Sequence, residues 1–233
     1  MTLLLVLACS TTPSRNFRAE LLDRYGEPPA PRTDPTPADP ALAALTEGCA
    51  AKDAASCKHL ALAQRDASEP VWSETLWRAC ELGSGEACSH LAFARLEGKE
   101  VPKDPRGALD AWIRGCKAGY DKSCFEAGVA FEEGDAGAAD PSRAANLFGK
   151  SCLMGFSPAC QYLSRFHVQG LGVDPDPEMA GWLACHECEL QHQGARPDAG
   201  YAPGSAPVCK GLSALKTLGV SAASAEACPV GPP

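Results

Sequence analysis

Cysteine is the residue type in this chain whose number and spacing could support chemistry. Four pairs share one separation, with seven residues between their two members: Cys49 and Cys57, Cys80 and Cys88, Cys116 and Cys124, and Cys152 and Cys160. Such pairs can form disulfides, bind zinc as thiolates or pack as small apolar side chains. Zinc sites favour two to four residues between paired cysteines, and four copies of one spacing argue against chance packing. The spacing therefore favours four disulfides.

The cysteine pairs belong to a repeat. Their first members stand at positions 49, 80, 116 and 152, which gives one interval of 31 residues and two of 36, a period typical of repeat proteins. Four positions before each first cysteine, on the same helix face, lies an apolar residue: Leu45, Leu76, Trp112 and Phe148. Ten positions after each second cysteine, glycine in three copies marks a helix end: Ala67, Gly98, Gly134 and Gly170. Each copy therefore predicts a pair of helices, with the two cysteines on either side of the turn that joins them.

An acidic residue followed by proline marks the expected start of each helix pair, because aspartate at the N-cap and proline at the first helical position favour helix initiation. The five such dipeptides are Asp39-Pro40, Glu69-Pro70, Asp104-Pro105, Asp140-Pro141 and Asp174-Pro175. Within the turns, Asp121 and Ser157 are expected to cap the second helix. Trp72, Trp77 and Trp112 are expected in the core between helices. The predicted repeats are residues 39–68, 69–103, 104–139, 140–173 and 174–219, with a tail over residues 220–233.

The fifth copy departs from the pattern. Gln193 stands where the partner of Cys185 is expected, and a segment rich in glycine and proline leads instead to Cys209. The pattern of a second helix then returns at the expected offsets, with Leu212, Ser213 and Gly219. We therefore expect Cys185 to pair with Cys209 across a long loop.

Two further cysteines, Cys188 and Cys228, are left to close a second bridge through the C-terminal tail. A thioredoxin-like role for Cys185 and Cys188 lacks the βαβ context, and haem attachment requires histidine where Glu189 stands. Zinc is the alternative that this segment leaves open. Its candidate ligands are Cys185, Cys188, Cys209, Cys228, His186 and His192.

The N-terminal residues 1–9 resemble the end of a bacterial lipoprotein signal peptide, in which apolar residues precede a lipid-bearing cysteine, here Cys9. No lysine or arginine precedes this apolar run, which is also too short to span a bilayer. The 13 cysteines are odd in number, so a lipid on Cys9 would leave the others free to pair. Ser10 in the next position implies, by the same resemblance, sorting to the outer membrane. Residues 10–38 are expected to form a proline-rich tether whose first part can make a helical turn or two.

The composition excludes some functions and bears on the compartment. The net charge is −8 and no basic run is present, which argues against nucleic-acid binding. The cysteine content indicates an oxidising compartment such as the periplasm or the cell exterior.

The sequence offers little for catalysis. Ser213 and Lys216 match the S-x-x-K string of penicillin-recognising enzymes, but no S-D-N follows and Ser213 occupies a small-residue packing position. The match is therefore interpreted as a coincidence. Three histidines on the predicted second helices lack a serine or aspartate that would complete a triad: His59, His90 and His167.

The repeated pattern of glycine or alanine, cysteine, glycine, cysteine and Leu-Ala resembles the Sel1-like repeat, a relative of the tetratricopeptide repeat, from about residue 39 to residue 219. The paired cysteines make it similar to the Helicobacter cysteine-rich proteins. The resemblance implies an all-α, right-handed superhelical solenoid of antiparallel helix pairs and an adaptor role at the cell envelope. Members of that family have also been assigned β-lactam binding or hydrolysis, although no residue here carries that activity over.

Together these observations predict a monomeric scaffold that binds an envelope protein or peptide through a concave face lined by the first helices. It would need no cofactor or metal and would touch the membrane only through lipidated Cys9. A β-lactamase-like hydrolase is the alternative, and a structural spacer is a third reading.

Overall fold

The computed structural model describes residues 16–27 and 42–194, including all of their side chains except those of Cys185 and residues 188–194. This part of the chain contains ten helices and no strand. The helices are α1 (Phe17–Tyr25), α2 (Leu42–Ala50), α3 (Ala54–Asp66), α4 (Trp72–Glu81), α5 (Gly85–Glu97), α6 (Pro105–Lys117), α7 (Asp121–Glu133), α8 (Pro141–Leu153), α9 (Ser157–Gln169) and α10 (Pro177–Gly194). The predicted all-α array of helix pairs is confirmed. None of the helices in the described ranges is long and apolar enough to cross a membrane.

The described residues fall into two compact units. One contains α2 to α7 and the first half of α8, up to Leu147. The other contains the rest of α8 from Phe148, together with α9, α10 and the N-terminal helix α1. Residues of α1 are therefore grouped with residues more than a hundred positions away in the chain.

Each of the first four helix pairs is closed by a disulfide between the end of its first helix and the start of its second. The bonds join Cys49 to Cys57, Cys80 to Cys88, Cys116 to Cys124 and Cys152 to Cys160. Their Cα–Cα distances run from 4.4 to 4.8 Å, within the range that a disulfide requires. The apolar residues four positions before each first cysteine are all buried: Leu45, Leu76, Trp112 and Phe148.

The turn inside each pair has one conformation in all four copies. The third residue after the first cysteine has a positive φ, between 67° and 96°, which favours glycine. These residues are Lys52, Gly83, Gly119 and Gly155. Lys52 is the exception. A residue with a side chain is destabilised by about 1–2 kcal/mol in this left-handed backbone conformation.

The next residue of the turn is the N-cap of the second helix. Asp53 and Ser84 fill this position with side chains that accept a backbone N–H, but Tyr120 and Phe156 make no such bond. The prediction that Asp121 and Ser157 are the caps is wrong by one residue, because the turn places the first helical residue there in every copy.

The starts of the later pairs keep a strict 36-residue interval, with Pro105, Pro141 and Pro177 beginning α6, α8 and α10. The preceding aspartates accept hydrogen bonds from the helix N-termini, at 2.9 Å for Asp104 and 3.0 Å for Asp140 and Asp176. The start predicted at Asp174-Pro175 is therefore wrong by two residues. The start predicted at Glu69-Pro70 is also displaced, because α4 begins at Trp72.

The corrected start changes the register of the fifth copy. Pro177 precedes Cys188 by the same eleven positions that separate Pro141 from Cys152. On the backbone of α10, Cys188 rather than Cys185 is therefore the counterpart of the first cysteine in the other pairs.

The N-terminal helix α1 differs from the tether expected for residues 10–38. Its N-cap, Asn16, accepts a hydrogen bond from the backbone of Ala19 at 3.1 Å. Phe17, Leu21 and Tyr25, spaced four residues apart on one face, are buried. Residues 17–25 are therefore a packed amphipathic helix.

Candidate functional site

A cavity of about 360 Å³ lies beside α4 and α5, at the junction with the start of the following pair. We call it the first junction cavity. Its lining combines an aromatic ring, aliphatic side chains and charges of both signs: Ser73, Glu74, Trp77, Leu91, Arg95, Val101, Pro102 and Asp104. The predicted core role holds for Trp72 and Trp112, which are buried, whereas Trp77 is half-buried and lines this cavity.

Two guanidinium groups hold the Trp77 ring in a cationic environment. Arg95 and Arg114 each lie 5.0 Å from the ring centroid, within the range of a cation–π interaction. Arg95 also donates to the carbonyl of Gly107 at 3.2 Å, which ties it to the following helix. Arg114 is exposed. The site therefore presents the aromatic ring of Trp77 with an accessible positive charge beside it.

A second cavity, of about 400 Å³, lies where α6 and α7 meet the start of α8. We call it the second junction cavity. Its lining is Ile113, Phe131, Ser142, Arg143, Asn146 and Leu147. The Arg143 guanidinium lies 4.0 Å from the centroid of the Phe131 ring, and Arg143 itself is exposed. The cavity therefore has an apolar floor and a polar, cationic rim.

The linings of the two cavities share two equivalent positions of the repeat. Ile113 follows Trp77 by 36 residues, and Phe131 follows Arg95 by the same interval. One position lies three residues before the first cysteine of its pair, and the other lies seven residues after the second. The fold therefore forms a recess at this junction in successive copies and fills its walls with different chemistry.

In the unit that contains α1, the same two positions of the repeat lie beneath that helix, and we call this region the third junction. Gly149 is the counterpart of Ile113, and the Tyr25 ring covers it so closely that a Cβ on Gly149 would lie 2.5 Å from that ring. The Tyr25 hydroxyl and Nε2 of His167, the counterpart of Phe131, are hydrogen-bonded at 3.2 Å. The Phe17 ring centroid lies 6.0 Å from that of Trp182 on α10. Helix α1 therefore lies against the junction recess of this unit.

Burial raises the pKa of the Tyr25 phenol, and the negative charge of Asp176 raises it further. Arg24 acts in the opposite direction through its charge and a hydrogen bond. The net shift of the pKa is upward from an ordinary value of 10.0, so the phenol is protonated at neutral pH and its hydroxyl can take part in the hydrogen bond with His167.

A second polar cluster joins helices α3 and α5 away from these recesses. The buried Lys58 donates to Oε2 of Glu86 at 2.7 Å, and Nε2 of His90 lies 3.7 Å from the other carboxylate oxygen. Burial alone would raise the pKa of Glu86, but its hydrogen bond and attraction to Lys58 outweigh this and lower the pKa. Burial lowers the pKa of His90. The cluster has the composition of a structural ion pair between neighbouring repeats.

One group of potential metal ligands occurs among the described residues. His186 has a ring nitrogen within 4.8 Å of the sulfur atoms of Cys152 and Cys160. Those sulfurs are bonded to each other, and a zinc site requires free thiolates. His186 instead stacks on Trp182 at a centroid distance of 5.0 Å.

Several residues singled out in the sequence lie outside the described side chains, and their predicted roles stay predictions. They are Cys9, Cys185, Cys188, His192, Cys209, Ser213, Lys216 and Cys228. Sequence reasoning also missed the junction positions. Aligning the copies at the observed 36-residue interval would have revealed them as two columns, Trp77, Ile113 and Gly149 in one and Arg95, Phe131 and His167 in the other.

Comparison with known proteins identifies the repeat in part of the chain. The Sel1 repeat model matches three consecutive segments, residues 85–120, 121–156 and 157–184. Each segment begins with the second helix of one pair and continues into the first helix of the next, so its phase differs from the predicted repeat boundaries. No curated protein matches the chain.

Two solved structures share the fold, with TM-scores above 0.5. A Sel1 repeat protein from Oxalobacter formigenes superposes with a TM-score of 0.58 at 18% identity, covering 64% of this chain and 65% of that protein. The protective antigen c5321 of uropathogenic Escherichia coli, described as having an SLR fold, gives a TM-score of 0.58 at 20% identity over 67% of this chain and 34% of that protein. Helicobacter pylori cysteine-rich protein B gives 0.42 at 24% identity, over 55% of this chain and all of that protein. This chain thus spans less than two thirds of the first two proteins. From residue 85 to residue 184 it matches three consecutive Sel1 repeats.

Proposed function

We propose that this protein is a cell-envelope scaffold that binds a protein or peptide along the face formed by the first helices of its pairs. The observation that carries the proposal is the series of junction recesses. Two have volumes of about 360 and 400 Å³, and a third has a helix of the same chain against it.

The walls of these recesses suit the recognition of side chains. The half-buried Trp77 offers an aromatic surface, the buried Phe131 contributes the edge of its ring to the lining, and Arg114 and Arg143 place exposed cations beside them. Aromatic residues and arginine contribute most strongly to binding at protein interfaces because they combine large buried areas with directed polar contacts.

The envelope location rests on the disulfides. Four of them close short hairpins, and disulfides persist in oxidising compartments such as the periplasm. A lipid on Cys9 would anchor the scaffold to the outer membrane. The sequence resemblance to a lipoprotein signal supports this step.

Site-specific photo-crosslinking in the organism that makes the protein tests the proposal. A photoreactive amino acid is placed at Ser142, on the rim of the second junction cavity, and as a matched control at Lys122, which is exposed on the second helix of its pair. We expect one identified envelope protein to be captured from position 142 and not from position 122, and to bind the purified chain. Equal capture from both positions, or capture from neither, would contradict the proposal.

A further inference from the structure

Helix α1 shows how the repeat holds a helix against a junction. Its three buried residues, Phe17, Leu21 and Tyr25, are spaced at i, i+4 and i+8. Arg18 and Asp23, on other faces of the helix, are exposed. The helix therefore contacts its unit through one apolar stripe, as an amphipathic peptide helix does in the groove of a partner.

The contacts of α1 repeat at an interval of 36 residues in the second junction cavity. Gly149, His167 and Trp182 lie against α1, and Ile113, Phe131 and Asn146 occupy the corresponding positions in the lining of the cavity. All three correspondences use one register. We call the surface formed by Gly149, His167 and Trp182 the α1 seat. The second junction cavity occupies the same place one repeat earlier in the chain.

We propose that the second junction cavity binds an amphipathic helix of a partner protein in the manner in which α1 lies against the third junction. This rests on the proposed scaffold function and names the class of partner for the same face. The occupant is a helix with apolar side chains at i, i+4 and i+8, and the cavity walls specify its chemistry further.

The differences between the two seats define the preferred side chains. Ile113 fills the space that Gly149 leaves for an aromatic ring, so the third apolar position should be aliphatic rather than tyrosine. Phe131 replaces His167 and offers no hydrogen-bonding atom to a hydroxyl. Arg143 is exposed above the Phe131 ring, and its charge favours an acidic residue on the adjacent turn of the bound helix.

A second copy of this chain fits the cavity poorly. Its α1 would bring Tyr25 against Ile113, where the glycine that admits the ring is absent. The hydroxyl of Tyr25 would also face Phe131 and lose its partner, which penalises binding because an unpaired buried polar group is costly. A leucine at the third position avoids both problems.

Fluorescence anisotropy with two helical probes tests the inference on the full, oxidised chain. One probe is the labelled peptide of residues 16–27. The other has the same sequence with leucine in place of Tyr25, and it keeps Glu20 and Asp23. We expect the leucine probe to bind at least tenfold more tightly than the native peptide. We also expect Ile113→Asp and Arg143→Glu to weaken the leucine probe about tenfold or more, while the charge control Lys122→Glu leaves its affinity unchanged.

The other outcomes overturn the inference. If the native peptide binds as well as the leucine probe and Ile113→Asp has no effect, the probes are displacing α1 from its own seat. If neither probe binds to a chain whose circular dichroism and melting temperature are normal, the cavity does not accept a helix. The scaffold proposal fails separately, through loss of the face preference in photo-crosslinking.

Discussion

Replacing Gly149 with alanine tests the packing of α1 most directly. A Cβ at this position would lie 2.5, 2.6 and 2.9 Å from three atoms of the Tyr25 ring, closer than carbon atoms approach. The backbone of α8 is fixed by its helix, so the ring must withdraw. Alanine would otherwise stabilise the helix by about 1 kcal/mol relative to glycine, and the two effects have opposite signs.

The magnitude follows from what Tyr25 loses. Withdrawing a large buried side chain costs about 1.5–3 kcal/mol, and the hydrogen bond to His167 contributes about 0.5–1.5 kcal/mol. The gain in helix propensity belongs to α8 and persists when α1 undocks, so it raises the global free energy of unfolding but does not offset the loss of docking. We therefore expect Gly149→Ala to weaken α1 docking by about 2–4 kcal/mol. Since about 1.4 kcal/mol is a factor of ten in an equilibrium constant, amide exchange in α1 should accelerate about thirtyfold to a thousandfold.

Hydrogen exchange of residues 17–25, measured by mass spectrometry, provides the assay. The decisive comparison repeats Gly149→Ala in a Tyr25→Ala background, where the ring is absent and the substitution should stabilise the chain by about 1 kcal/mol. Gly137→Ala, which adds a Cβ with no neighbour within 4 Å, is the control. If Gly149→Ala stabilises the chain in both backgrounds and leaves α1 exchange unchanged, Tyr25 does not pack on Gly149 and the proposed helix seat loses its basis.

Three further predictions concern the repeats themselves. Lys52→Gly should raise the free energy of unfolding by about 1 kcal/mol, because Lys52 alone among the four turn residues has a side chain at positive φ; urea denaturation measures this, and an unchanged midpoint would contradict it. The pKa values of Glu86 and His90 are lower in the folded chain than their ordinary values of 4.5 and 6.5. The deprotonated forms therefore favour the folded state at a pH above those ordinary values, and this contribution to stability is lost as the pH falls through the folded pKa values. Glu86→Gln should therefore reduce the loss of stability on acidification below pH 4.5, and thermal melts from pH 7 to pH 3 that show the wild-type slope would refute this. Finally, the register of α10 predicts that Cys188 rather than Cys185 pairs with Cys209; peptide mapping of the non-reduced protein identifies the pair, and a bond from Cys185 would show that the register argument fails.

The local part of the fold was predictable because short-range interactions determine it. Cysteines eight positions apart in the sequence can meet across one tight turn, so their spacing sufficed to predict the four disulfides. Aspartate and proline at Asp104-Pro105 and Asp140-Pro141 likewise initiate helices through contacts within one helical turn. In the fifth copy, the adjacent dipeptides Asp174-Pro175 and Asp176-Pro177 offer the same local signal twice. Only the structure shows which of them begins α10.

The packing of α1 could not be read from local patterns. Tyr25 and His167 are 142 positions apart in the sequence, and the apolar spacing in residues 17–25 predicts an amphipathic helix without saying what it covers. The proline-rich residues that follow it favoured the interpretation of a tether.

The junction recesses were not predicted from the sequence for a different reason. A repeat is recognised by positions that stay the same, and here those are the cysteines, their turn and the apolar residues that fill the core. Trp77, Ile113 and Gly149 occupy one structural position and share no chemistry, so a search for similarity passes over them. The proposed scaffold would use this variation to recognise different side chains. Disulfides hold the backbone of each pair in place, while the residues of the recess change from tryptophan with arginine in one copy to isoleucine with phenylalanine in the next. In the proposed scaffold the invariant columns specify the fold, and we expect the variable ones to specify the ligand. The glycine that admits α1 at the third junction is the clearest instance, because the absence of a side chain there makes room for the Tyr25 ring.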